Sequence, residues 1–215
     1  MKTMNWIFAS LLLFACDKAA PAQTKKLSSA VLVAQTAIPG AQEHADRGAA
    51  ALDAPREIHA LQVFLKLGRT LIVSAADAMP ADKYGFAPTD GEFKGVRTFG
   101  QQVKHLAAAN HILAAAALGE EPPKGAGDEM GPETVRTKAE ILDYLNRSFE
   151  HLAKAIDAIS DKNATVKSSP ISPLKGTEAT RLALTVEGMI HAFDHYGQMV
   201  EYLRMNGIVP PASRP

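Results

Sequence analysis

Two histidines four residues apart, His191 and His195 in the stretch HAFDH, are the side chains here whose type and spacing most readily do chemistry. On a helix that spacing puts both rings on one side, about one turn apart, so that they reach a common point. Neutral imidazole is a common ligand for divalent Zn, Ni and Fe, and a pair so placed is half of a metal site. The residue after His191 is Ala192. The glutamate base of the zinc-protease motif HExxH is therefore missing, and that reading is excluded. A solvated or core-edge pair of histidines is the plainer alternative.

A third ligand must come from another helix. His105, in FGQQVKHLAAANHIL, is the best placed, because it shares a helical stripe with Gln102, Ala109 and Ile112 and the alanines around it leave room for a ring and an ion. His111 falls nearly opposite on the wheel, so the two cannot face one ion. His59 and His151 each sit one position off an apolar stripe and read as boundary residues, with His151 able to support a ligand from behind. His44 reads as solvated. Asp194 and Gln198 follow His191 and His195 by three positions and are candidates for orienting a ligand or activating water. Tyr202 lies on the ligand stripe with Leu184, Gly188 and Gln198, and either lends its phenol to the site or packs at the core edge.

Four apolar patterns of helical period must position these groups. The first carries Ile58, Leu61, Leu65, Ile72 and Met79 before Pro80. The second starts near Arg97 with Phe99, Val103, Leu106, Leu113 and Ala117, and Gly119 and Pro122-Pro123 follow. The third has Leu142, Leu145, Phe149, Leu152, Ile156 and Ile159, with Thr134 as the expected N-cap. The fourth sets Leu182, Val186, Met189, Phe193, Tyr196, Val200 and Leu203 as its main stripe, with the histidines flanking it. Nothing alternates with period two for long enough to be a strand. The expected fold is therefore all-α, a four-helix bundle with long loops around 82–94, 120–132 and 161–178 that shape the mouth of a site.

Composition narrows the class. The 215 residues are 47% hydrophobic and 21% charged, with 23 basic and 23 acidic side chains. That suits a globular core, and the zero net charge gives no electrostatic case for nucleic acid. The single cysteine, Cys16, excludes an intrachain disulfide. It closes MKTMNWIFASLLLFAC, whose apolar run is short of the ~20 residues a membrane span needs and has the form of an export signal. Leu13-Phe14-Ala15-Cys16 resembles a lipobox, with cleavage before Cys16 and acylation of its thiol. Ala20-Pro21-Ala22 fits an ordinary signal peptidase cutting after Ala22. The expected organisation is a signal over 1–22, a linker or tether over 23–54 with a short helix near Ser29 to Thr36, and the bundle over 55–215. Localisation is expected at the periplasm or cell envelope.

The pattern resembles the DinB-like family of bacterial metal-binding bundles, over roughly residues 55 to 211. MPADKYGFAPT leaves the first helix, RTFGQQVKHLAAAN opens the second, and TRLALTVEGMIHAFDHYGQMVEYLRMNGIVPP forms the fourth and the tail. The resemblance implies an up-down-down-up helix order and a divalent ion held by one histidine of the second helix and an HxxxH pair of the fourth, with Zn, Ni or Fe the ions that imidazole chemistry suggests. The three histidines are His105, His191 and His195. The segment over 25–54 is longer than the family requires. The export signal sets the chain apart from relatives that use intracellular thiols such as bacillithiol or mycothiol. Three imidazoles leave a coordination position open, as catalytic sites do. The expectations are an exported metal-dependent hydrolase or transferase, a non-catalytic metal- or ligand-binding module tethered at the envelope, or a tethered structural protein whose histidines are incidental. Expected partners are a small-molecule substrate or ligand, a second copy of the chain, and a membrane through lipidated Cys16.

Overall fold

The computed structural model describes residues 56–126, 129–160 and 165–215. The expected signal, its two cleavage points, the linker with its short helix, and His44 lie outside the described residues. Four long helices make up the described part: α1 (Arg56–Ala78), α2 (Phe99–Leu118), α3 (Lys138–Asp157) and α4 (Arg181–Met205). Among the described residues no strand forms, and one isolated bridge joins Thr165 to Thr180.

The helix order follows from side chains that cross between elements. Near the start of α1, Gln62 bonds Asp157 at the end of α3, while Lys138 at the start of α3 pairs with Asp77 at the end of α1. These two helices are antiparallel. Asn110 meets Ser148 and His111 meets His151, so α2 and α3 run parallel. Gln102 reaches His195, and Arg181 Nε donates to the Ala117 carbonyl, so α2 and α4 are antiparallel. α1 therefore points with α4 and against α2 and α3, an up-down-down-up bundle in which α1 and α2 face each other across the diagonal.

Local sequence explains where the helices begin. Thr98 Oγ1 accepts from the Gln101 N–H, and Gln101 Oε1 accepts from the Thr98 N–H. This capping box satisfies two donors of the first turn and fixes the end of α2 that carries Gln102 and His105. Gly119, at φ 76°, ends the same helix in a left-handed conformation that glycine adopts without strain. α3 has the same device at Thr137 and Glu140. The expected cap at Thr134 is thus displaced, because the chain turns again after Pro132 and Thr137 is the threonine with a glutamate three residues on.

The core contains Ile72, Met79, Phe99, Leu106, Leu113, Leu145, Leu152, Ile156 and Leu203, all fully buried. α2 is buried nearly all round, its alanines packed against neighbours on several sides, as the central helix of a bundle must be. The fourth helix corrects the sequence reading. Its buried face is Leu184, Thr185, Gly188, Ala192, His195, Met199, Tyr202 and Leu203. The expected main stripe lies to one side: Met189, Tyr196 and Val200 are half-buried, and Phe193 is 37% exposed. The histidines do not flank the core stripe of α4; His195 is part of it. The cause is close packing. A Cβ on Gly188 would stand 3.0 Å from Leu152 Cδ2 and 3.7 Å from Leu113 Cδ1, so only small residues let α4 approach α2 and α3 there.

Candidate metal centre

α2 carries His105 inward one turn beyond its rigid first turn, and α4, running the other way, carries His191 and His195 on its core face. The three rings meet. His105 stands 5.2 Å from His191 and 4.8 Å from His195 between centroids, and His191 and His195 are 4.3 Å apart, all edge-to-face. One ring nitrogen from each lies within 4.8 Å of the other two. His105 and His195 are buried and His191 is partly so.

The surroundings orient these rings. His105 Nδ1–H donates to the Glu129 carbonyl at 2.9 Å, which leaves Nε2 bare on the side of the other histidines. The Glu129 carboxylate lies 3.8 Å from the same Nδ1. Gln102 places its amide nitrogen 2.7 Å from His195 Nδ1 and donates to Gln198 Oε1 at 2.5 Å, and Gln198 in turn donates to Asp194 Oδ2 at 2.9 Å. His195 Nε2 and His191 Nε2 are 2.9 Å apart, while His191 Nδ1 is buried without a partner.

Each ring is held neutral. Burial is the main cause, lowering His191 to about 4 and His195 to about 3, and the other histidines and Arg97 push the same way. His105 is lowered by burial too, against the pull of Glu129. Three uncharged imidazoles whose ring nitrogens converge fit a divalent cation, because only the neutral ring offers a lone pair. Ligation at about 2.0–2.1 Å brings cis nitrogens to roughly 3 Å of one another. The His191–His195 spacing already meets that value.

A sequence model of the DinB superfamily matches residues 65–199, which takes in most of the bundle and all three histidines. This chain belongs to the DinB superfamily. That superfamily is metal-binding, and its helical bundle is the architecture described above. No curated protein matches the chain. Within this DinB-superfamily bundle the rings that meet are those the sequence had paired by spacing.

The other candidates fall differently. Asp194 and Gln198 do not touch a histidine; they end a chain of amides that reaches His195 through Gln102. Tyr202 is buried, and its hydroxyl donates to the Arg97 carbonyl at 3.1 Å rather than to a histidine. His151 does not support the cluster. It lies 3.1 Å, Nδ1 to Nδ1, from His111, with Glu120 3.6 Å from its Nε2. His111 is buried on the far side of α2 from His105, and His59, read as a boundary residue, is exposed.

Glu129, Gln102 and Arg97 were missed as site residues. Glu129 has a positive φ of 64°, and nothing in a loop sequence signals that its carbonyl will turn toward α2. Gln102 stands three residues before His105 on the same stripe, and that spacing is the signal that finds it. Beside the cluster is an open cleft of about 720 Å³, walled by Arg97, Gln101, Gln102, Gln198 and Tyr202 and by Phe93, Val96 and Met130 from the loops.

Proposed function

We propose that this DinB-superfamily protein holds one divalent metal ion on His105, His191 and His195 and uses it in hydrolysis or group transfer on a small molecule bound in the adjacent cleft. The observation that carries the reading is the approach of three neutral imidazoles from two antiparallel helices beside a cleft large enough for a small substrate. A divalent ion with three imidazole ligands and a free position supplies Lewis acidity to a substrate oxygen or thiolate. The chain does the rest. Glu129 fixes which nitrogen of His105 is bare, Gln102 holds the ring of His195, and the apolar walls from the loops strip water from a bound molecule.

A binding module that captures a ligand without turnover is the second reading, and one observation favours it. Among the described residues lining the cleft the one carboxylate, Glu201, bonds Arg204, and Asp194 beside the cluster is tied to Gln198. Screening ester, amide and thiol-transfer substrates with the metal-loaded wild type and His195→Ala separates the two. Turnover lost in the variant supports the enzyme. Equal turnover removes that claim for those substrates and leaves the module.

The location proposed is the periplasm or cell envelope, on the apolar run over 6–15 and the alternatives of Cys16 or Ala22 as the processing point. Mass spectrometry of the protein from its host reads this directly. A diacylglycerol-modified Cys16 supports a lipoprotein, Gln23 at the N-terminus supports soluble export, and an intact Met1 contradicts both.

A further inference from the structure

The cleft carries a positive charge that no carboxylate among the described residues pairs. Arg97 lies in its wall, one residue before the Thr98 cap of α2. Its Nε is buried with no hydrogen-bond partner, and none of the ion pairs among the described residues includes it. A guanidinium offers a planar fork of N–H donors that matches the two oxygens of a carboxylate. The nearby groups suit an organic acid. Gln101, Gln102 and Gln198 provide amides, and Phe93, Met130 and Met205 provide apolar wall. The one acidic group lining the cleft, Glu201, is engaged by Arg204 at 3.2 Å.

We propose that the cleft takes a small molecule bearing a carboxylate, seated on the guanidinium of Arg97, with its reactive end toward the histidine cluster behind Gln102. A single guanidinium faced by neutral amides suits a singly charged group better than a doubly charged phosphate. Arg97 is also within electrostatic reach of the cluster: burial is the main cause that keeps the three histidines neutral, and the Arg97 charge acts in the same direction on each. The direction of the reactive end rests on the metal reading above, whereas the anion seat stands on Arg97 and is testable without metal.

The test follows the Arg97 Nε–H resonance of the metal-free, ¹⁵N-labelled full chain during titration with propionate, propionamide and methylphosphonate. Propionate is expected to shift that resonance saturably and propionamide to leave it in place. Arg97→Gln and Arg97→Lys should each weaken propionate binding about tenfold or more, because the charge-assisted fork is lost, with the melting temperature retained. A resonance that propionate does not move overturns the proposal, as does one that only methylphosphonate moves. A second arm uses cobalt-loaded protein and compares the monohydroxamate of succinic acid with propionohydroxamate by the cobalt visible spectrum. The acid is expected to bind about tenfold tighter, and to lose that advantage in Arg97→Gln. Equal affinities overturn the placement of the reactive end. Failure of cobalt to bind at all removes the metal reading and with it that placement, and leaves the seat to be decided by the propionate arm.

Discussion

Gln102 on α2 meets His195 on α4 with its amide nitrogen 2.7 Å from Nδ1, the ring nitrogen that faces away from His191. A histidine that ligates through one nitrogen is oriented by what the other nitrogen bonds; ligation through Nε2 puts the ring proton of His195 on Nδ1, and the Gln102 amide then receives it by turning its oxygen to that nitrogen. Gln102→Leu keeps the bulk and removes the bond. It is expected to weaken metal binding by about 10- to 100-fold, measured by competition with a chelator, at nearly unchanged helix content. An unchanged affinity would show that packing alone orients the ring.

Removing the metal should soften the fold. A ligand that binds the folded chain alone stabilises it by about 2.7 kcal/mol at a free concentration one hundred times its dissociation constant. Stripping the protein with a chelator is therefore expected to lower the melting temperature by several degrees, and restoring a divalent ion to bring it back. His195→Ala should melt at the lower temperature with or without added ion.

The second histidine pair predicts acid sensitivity. Burial lowers His111 from 6.5 to about 4, with His151 and Arg147 acting in the same direction. His151 is lowered by burial as well, against Glu120. Histidines kept neutral in the fold but free to ionise when unfolded bind more protons in the unfolded chain below pH 6.5. Stability is then full above that pH and falls as the pH drops from 6.5 toward about 4. Each such histidine contributes at most about 1.4 kcal/mol per pH unit to the slope. Urea unfolding between pH 7 and 4 should show a shallower decline for His111→Leu than for the wild type. Parallel curves would contradict the assignment.

The start of α3 gives a sharper contrast. Thr137→Ala removes the side chain that accepts from the Glu140 N–H, and should cost about 1 kcal/mol in chemical denaturation. Thr134→Ala lies outside the helix and should change stability little. A larger effect at Thr134 would place the cap where the sequence had suggested.

That contrast shows how far the chain was legible. Four helices and their approximate ends follow from one helical period, which also puts His191 and His195 on one side of a helix; that His105 joins them was an implication of the family resemblance beside its place on the inner stripe of α2. Thr134 was misjudged because a threonine near a proline is a weaker cue than the Thr137/Glu140 box. The face of α4 was misjudged for a different reason. Apolar size marks a core face only where there is room for size. On α4 the crossing with Leu152 and Leu113 demands Gly188, and larger residues are left outside: Ile190 is 66% exposed, and Phe193 lies over Gly68 of α1. The contacts of Glu129 and Arg97 depend on loop paths that carry no period at all.

The account stands or falls on metal content. The most direct measurement is elemental analysis of the protein purified without a histidine tag, beside His105→Ala, His191→Ala and His195→Ala made in the same way. The account predicts close to one divalent ion per wild-type chain and a large loss in each variant, since a preformed site fills. Less than ~0.2 ion per chain in the wild type, or equal content in all four proteins, would contradict it.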